Sequence, residues 1–142
     1  MQSNGATLNS ALFRIGEFVM YDANSMLTQI MWNSRYPIRH LQLLDHAGKT
    51  GFNLGRDRVY DFNFNKYEPI FREVGKYMAP DGDVTLLGCW IGTNHTLLKR
   101  VAAAVGKPVI AGTDEYYSWA HYQYGDYTTC PPDGPCHPTE DE

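Results

Sequence analysis

The sequence predicts an α/β fold, a three-layer sandwich with a mostly parallel sheet of about four to six strands. Short apolar runs alternate with segments in which apolar residues recur at helical spacing, which favours strand–helix–strand units. One stretch, VTLLGCWIGTN over residues 84–94, has the pattern of a buried strand that passes through a Gly-Cys turn into a helix. The chain has 142 residues, of which 43% are hydrophobic, so we expect one domain over residues 1–142.

Periodicity and turn residues place the elements in order along the chain. We expect a strand over 13–21, a helix over 25–34, strands over 38–44 and 52–54, a loop over 56–65, a helix over 65–78, a strand over 84–88, a helix over 93–105 and a last parallel strand over 109–111. Asp22 is a candidate cap for the first helix, and Gly106 ends the third. Residues 116–127 predict a hairpin or covering loop, and we expect 1–10 and 137–142 to be disordered.

Charge and composition argue against several classes of partner. The formal charge of −4 and the pI near 5.7 do not fit a nucleic-acid-binding surface, which needs clustered Lys and Arg. No apolar run reaches the roughly 18 residues of a membrane span. The N-terminal segment lacks the basic and apolar regions of a signal peptide. We therefore expect a cytoplasmic protein, or a domain delivered or secreted as part of a larger effector.

Two residues with suitable chemistry follow predicted strands. His46 comes after the strand over 38–44, and Cys89 comes after the strand over 84–88. If these strands are parallel neighbours, their carboxyl ends lie roughly 5–10 Å apart, within reach of a thiol–imidazole pair. Backbone N–H groups around Gly48 and Cys89 would then face a developing oxyanion, and Gly48 and Gly88 would let the backbone approach a substrate closely. The alternative is a buried, inert Cys89 beside an ordinary loop histidine.

These strand ends carry three motifs, HAGKTGFNLG (46–55), VTLLGCWIG (84–92) and PVIAGTDEYY (108–117). In order and placement they resemble the caspase-like (clan CD) cysteine peptidases, and most closely bacterial caspase-like domains of large surface proteins and toxins, including self-cleaving ones. The resemblance implies that His46 is the general base, that Cys89 is the nucleophile, and that the amide of Gly48 or Ala47 helps form the oxyanion hole. It also implies a peptide or protein substrate and neither a cofactor nor a metal.

The chain departs from that family at two points. Ala47 stands where the family usually has glycine. Only one strand is predicted before the strand that leads to His46, where a complete caspase-like sheet would have two. The first strand is therefore absent, or residues 1–16 supply an unusual one.

Other polar residues are weaker candidates. Asp45 would support the imidazole or bind substrate, and Asp114 and Glu115 would line a pocket for a basic side chain. For each of them a solvated carboxylate at a loop is the preferred interpretation. Cys130 and Cys136 lie close together, next to His137, but their C-x5-C-H spacing fits no standard zinc site. A disulfide or two free thiols is the preferred interpretation.

Three functions remain open from the sequence. The first is a caspase-like peptidase or self-processing domain that uses Cys89 and His46. The second is a catalytically inactive caspase-like module that binds a partner through its glycine-rich edge and tyrosine-rich tail. The third is a different hydrolase or transferase in which Asp45 and His46 work together and Cys89 is part of the core. The oligomeric state is not predicted.

Overall fold

A computed structural model describes residues 17–117 and 122–139. Its helices and strands are, in chain order, α1 (Ala23–Asn33), β1 (Ile38–Leu44), β2 (Gly51–Leu54), β3 (Asp57–Tyr60), α2 (Phe64–Gly75), β4 (Met78–Leu87), α3 (His95–Val105), β5 (Val109–Gly112), β6 (Tyr116–Tyr117), β7 (Tyr122–Gln123), β8 (Tyr127–Cys130) and β9 (His137–Pro138). Part of the strand expected over 13–21 lies outside the described residues, and residues 17–20 are irregular.

The α/β prediction is confirmed. Five strands form the main sheet in the order β1-β4-β5-β8-β9. The pairs β1–β4 and β4–β5 are parallel, whereas β8 and β9 add antiparallel strands at the far edge. Two small hairpins, β2–β3 and β6–β7, stand outside this sheet. The adjacency of β1 and β4, on which the sequence-based site depends, is therefore present.

Local sequence signals explain where the helices begin and end. The Asp22 carboxylate accepts a hydrogen bond from the Ser25 N–H at 2.7 Å and thereby caps α1. The Asn94 side chain caps α3 in the same way, through the Leu97 N–H at 3.1 Å. Gly106 ends α3 with φ of +77°, a left-handed conformation that glycine adopts at little cost.

The helices form one connected layer. Helix α2 contacts both α1 and α3, and the three share a single apolar core with one face of the sheet. Along β1, Ile38, Leu41 and Leu43 are buried, whereas the side chains that point the other way, such as Gln42, are exposed. The described helices therefore form one layer against the sheet. The reason is topological: β4 and β5 are added successively on the same side of β1, and right-handed crossovers then put α2 and α3 on one face.

Three segments differ from the sequence-based expectation. The loop expected over 56–65 contains β3, which pairs with β2. The segment Ala79-Pro-Asp-Gly82, which lies between the helix expected over 65–78 and the strand expected over 84–88, belongs to β4, where a register shift accommodates it. Strand β9 pairs with β8, so order extends past residue 137, where we expected disorder to begin.

Cys130 and Cys136 form a disulfide, with their Cα atoms 4.1 Å apart. Both thiols are thus used, and no group of three His, Cys, Asp or Glu side chains within the described residues is arranged to hold a metal ion. None of the described helices is long and apolar enough to cross a membrane.

Candidate active site

The carboxyl ends of β1 and β4 lie side by side. The two strands are in register at Leu44 and Leu87, and the ladder continues one step further, where the Asp45 N–H donates to the Leu87 carbonyl at 3.3 Å. His46 and Cys89 are each the second residue beyond the paired leucines. The structure thus brings both residues to the same edge of the sheet, at equivalent positions on neighbouring strands.

Gly88 allows the two strand ends to touch. A Cβ atom at this position would lie 2.6 Å from the Ala47 Cβ and 2.9 Å from the Asp45 carbonyl oxygen, both far inside van der Waals contact. Any larger residue at 88 would push the loop that carries His46 away from the turn that carries Cys89. Gly88 therefore allows the loop that carries His46 to lie against the turn that carries Cys89, whereas the sequence led us to expect a close approach to a substrate at this glycine.

The Asp45 carboxylate binds backbone groups of its loop, and it makes no hydrogen bond with the His46 ring. Its carboxylate accepts hydrogen bonds from the His46 N–H at 2.7 Å and from the Gly55 N–H at 2.8 Å. Both oxygens therefore bind backbone groups within the β1–β2 connection. This geometry disfavours a working pair of Asp45 with the His46 ring, and it makes Asp45 a residue that fixes the backbone of the loop.

The amides expected to form an oxyanion hole differ in availability. The Gly48 N–H donates to the Gly51 carbonyl at 2.9 Å, so this donor is already used. Ala47 pairs with Phe52 in an isolated bridge whose hydrogen bonds come from its neighbours, so its own N–H points away from Phe52. Among the described residues, nothing accepts a hydrogen bond from the Ala47 or the Cys89 N–H. Both amides are therefore available as donors at the edge.

Cys89 is half-buried and is the one free thiol among the three cysteines of the chain. The Tyr116 N–H donates to the Cys89 sulfur at 3.4 Å, and the thiol donates to the Tyr116 carbonyl at 3.6 Å. The His46 ring, in contrast, is exposed and makes no hydrogen bond or ion pair with a described residue. The thiol's polar contacts therefore go to the chain after β5.

Trp90 has an unusual backbone immediately after Cys89. Its φ and ψ are 57° and 3°, and it is the sole residue other than glycine with positive φ in the described ranges. The Trp90 N–H donates to the Asp114 carbonyl at 2.9 Å, and its own carbonyl accepts from the Thr93 hydroxyl at 2.7 Å. A left-handed tryptophan is strained, and such strain concentrates at functional sites. No signal in the sequence marked this residue, because tryptophan is not a typical residue for that conformation.

Comparison with known families gives one match. A family described as a domain of unknown function, DUF4347, matches residues 6–121, which include both strand ends and the segment that contacts Cys89. The chain belongs to the DUF4347 family. No curated protein and no solved structure matches it.

In this DUF4347 domain the acidic candidates lie beside the thiol-contacting segment. The Asp114 carboxylate accepts from the Glu115 N–H at 2.7 Å, and the Glu115 carboxylate accepts from the Tyr117 hydroxyl at 2.7 Å. That hydrogen bond raises the pKa of the Tyr117 phenol. Tyr117 also packs edge-on against Tyr124, with ring centroids 5.2 Å apart. The result is an acidic and aromatic surface next to Cys89.

Sequence reasoning missed Gln123, which is 7% exposed. Its Nε2 donates to the carbonyls of Asp114 at 2.8 Å, Glu115 at 3.0 Å and Tyr124 at 3.1 Å. The side chain lies over Gly112, where a Cβ atom would come within 2.0 Å of the Gln123 amide carbon. A glutamine in a polar, aromatic stretch carries no periodic signal, so only the fold reveals its burial.

The cavity beneath the strand ends is too small for a ligand. It has a volume of about 10 Å³ and is lined by Asp45, Ala47, Phe52, Gly88 and their neighbours. This is the space of at most one water molecule. Any substrate of the DUF4347 domain would therefore bind on the outer surface of the edge rather than inside it.

Proposed function

We propose that this domain is a caspase-like cysteine peptidase or self-processing domain in which His46 and Cys89 act together on a peptide bond. The observation that carries the proposal is the parallel register of β1 and β4, which puts His46 and Cys89 at equivalent positions beyond Leu44 and Leu87. A catalytic pair needs both groups at one edge, and the direct contact of the strand ends at Gly88 supports this.

The proposed reaction has two halves. The imidazole of His46 takes the thiol proton while the Cys89 sulfur attacks the carbonyl carbon of the scissile bond. The resulting imidazolium gives its proton to the leaving amine, and an acyl thioester remains on Cys89. Water, deprotonated by His46, then attacks the thioester, which releases the acid and restores the thiol and the neutral imidazole. The exposed position of the His46 ring suits a group that exchanges protons with solvent and substrate.

The tetrahedral intermediates would carry negative charge on the former carbonyl oxygen. The N–H groups of Ala47 and Cys89 are the proposed donors to it, because neither is used within the described chain. Gly48, which the resemblance also suggests, has its N–H on the Gly51 carbonyl. For the substrate, the carboxylates of Asp114 and Glu115 favour a basic side chain near the scissile bond, because opposite charges attract at a partly exposed surface.

One observation favours the second candidate, an inactive caspase-like module that binds a partner. The Cys89 sulfur accepts a hydrogen bond from the Tyr116 N–H, and its thiol donates one to the Tyr116 carbonyl. It makes no hydrogen bond with His46. In this alternative the cysteine serves to fix the chain after β5, and the tyrosine-rich surface contacts the partner. The two candidates differ in the reactivity of Cys89.

The test is alkylation of the oxidised protein by iodoacetamide across pH 5–9. The disulfide leaves Cys89 as the free thiol, so the signal reports one residue without separation of sites. A catalytic pair predicts fast labelling with a pH profile that His46→Ala abolishes. His95→Ala is a matched control, because His95 is also an exposed histidine but begins α3.

Equal rates and equal pH profiles in the wild type and His46→Ala would reject the peptidase. A second assay follows cleavage of a peptide library by mass spectrometry, with Cys89→Ser as the inactive reference. Cleavage that is lost in both Cys89→Ser and His46→Ala supports the pair, whereas cleavage that persists in Cys89→Ser contradicts it.

A further inference from the structure

The chain after β5 contacts the proposed nucleophile through its backbone. The N–H and the carbonyl of Tyr116 both lie at the Cys89 sulfur, at 3.4 Å and 3.6 Å. The backbone of one residue, Tyr116, thus uses both the acceptor and the donor capacity of the thiol. In the proposed reaction the sulfur needs a free lone pair and gives its proton to His46, so a substrate must compete with these two internal hydrogen bonds.

Gln123 holds the Tyr116 backbone in position. The carbonyls that its Nε2 contacts belong to both sides of the β6–β7 hairpin: Asp114 and Glu115 precede β6, and Tyr124 follows β7. A further backbone bond, from the Tyr124 N–H to the Glu115 carbonyl at 2.8 Å, closes the same hairpin. The amide of one buried side chain therefore joins the segment before β6, which leads into Tyr116, to the residue that follows β7.

The closed arrangement contains an unfavourable feature. The Gln123 Oε1 atom is buried and has no hydrogen-bond partner within the described residues. A buried acceptor without a partner loses its hydration, and it regains water if the hairpin moves away from the sheet. The Nε2 hydrogen bonds of Gln123 thus stabilise the closed arrangement, whereas the unpaired Oε1 destabilises it. The free-energy difference between a closed and a displaced arrangement is therefore small, as it is in elements that switch between two conformations.

We propose that Gln123 is a positioning residue that keeps the Tyr116 backbone on the Cys89 thiol, so that the sulfur is covered until strand β6 moves away from it. The proposal rests on the proposed peptidase function, since it concerns access to the same sulfur. Substrate binding or a partner that favours the displaced hairpin would open the site. The Tyr116 backbone and the substrate therefore compete for the Cys89 sulfur.

The experiment compares iodoacetamide labelling of Cys89 in the oxidised wild type and in Gln123→Leu, which keeps the bulk of the side chain and removes its polar atoms. We expect labelling to accelerate about tenfold, because each lost hydrogen bond is worth up to about that factor in the closed–open equilibrium. Asn33→Ala is the matched control: it removes an amide that donates to the Gln29 carbonyl at 2.7 Å in α1, away from the hairpin. Equal acceleration in the control would mean general loosening and would overturn the proposal.

A second variant keeps the proposal testable if Gln123→Leu fails to fold. In Gln123→Glu the protonated carboxyl can donate one hydrogen bond, whereas the carboxylate faces three carbonyl oxygens and repels them. The ratio of its labelling rate to that of the wild type should therefore rise with pH. A flat ratio near one would overturn the closed-hairpin proposal.

His46→Ala separates the two proposals. If Gln123→Leu accelerates labelling and His46→Ala has no effect, the hairpin controls access to a thiol that is not catalytic. If His46→Ala slows labelling and Gln123→Leu has no effect, the catalytic pair stands and the role of Gln123 is refuted.

Discussion

Replacement of Gly88 by alanine tests the contact that brings the two strand ends together. The new Cβ would lie 2.6 Å from the Ala47 Cβ, whereas two such carbon atoms pack at about 3.5–4.0 Å. The two loops must therefore separate by roughly 1 Å, which is the scale of shift that overpacked sites show. We expect Gly88→Ala to lower the free energy of unfolding by about 1–3 kcal/mol.

Gly88→Ala should also change the reactivity of Cys89, an effect that a loss of stability alone does not produce. A shift of the loop that carries His46 relative to Cys89 disturbs a pair that acts only at hydrogen-bond distance. We expect the alkylation rate of Cys89 to lose its dependence on His46 in Gly88→Ala. The assays are urea unfolding and the pH profile of iodoacetamide labelling, both on the oxidised protein.

A compensating variant makes the reasoning refutable. Ala47→Gly removes the atom that the new Cβ meets first, although the Asp45 carbonyl oxygen at 2.9 Å remains. The double variant Gly88→Ala/Ala47→Gly should therefore recover part of the stability, with a coupling free energy of about 1 kcal/mol in the double-mutant cycle. A Gly88→Ala protein with unchanged stability, or strictly additive effects in the cycle, would refute the assigned contact.

Three further predictions concern the loop, the first helix and the disulfide. Asp45→Ala removes an acceptor of two short backbone hydrogen bonds, so we expect a loss of about 2 kcal/mol in urea unfolding and a change in the Cys89 labelling rate. Asp22→Ala should lower the midpoint of thermal unfolding by about 3 °C at neutral pH. The capping N–H lowers the pKa of the Asp22 carboxyl, so this stabilisation is present above pH 3.8 and the difference from the wild type should shrink as the pH falls below it. Reduction of Cys130–Cys136 opens a loop of sequence separation 6 and should cost about 2 kcal/mol, while the number of thiols that react in denaturant rises from one to three.

The sequence predicts the central part of the fold because its signals there are local and mutually consistent. The apolar runs of β1, β4 and β5 and the capped helix α3 lie where periodicity placed them. Parallel strands joined by a crossover that contains a helix usually become neighbours, and this rule predicts that His46 and Cys89 lie at one edge of the sheet. The candidate site thus follows from strand order and required no knowledge of side-chain contacts.

Segments whose structure depends on distant partners were not predictable in the same way. Strand β3 has a polar, aromatic sequence and becomes a strand because β2 lies beside it. The start of β4 carries Pro80 and Gly82, which favour a turn, yet pairing with β1 and a register shift accommodate both. In such segments tertiary pairing overrides local propensity.

The same distinction applies within the candidate site. Residue type and strand order identify His46 and Cys89, but the hydrogen-bond state of each depends on loops whose course the sequence does not encode locally. The Gly48 amide is used by a turn, and the Cys89 thiol is used by Tyr116, which is 27 residues away in the chain. Which donor is available and which group is occupied are therefore properties of the folded loops.

The contact at Gly88 also explains a departure from the family pattern noted in the sequence. The caspase-like pattern on which the proposed function rests usually has glycine after the histidine, and this chain has Ala47. The Ala47 Cβ lies where a side chain on Gly88 would begin, so the two positions share one small space that holds a single methyl group. Alanine at 47 is tolerated because 88 is glycine, and its N–H still points away from Phe52. Alanine at 47 therefore keeps the proposed amide donor. It also requires glycine at position 88, just before Cys89, because the two side chains would occupy the same space.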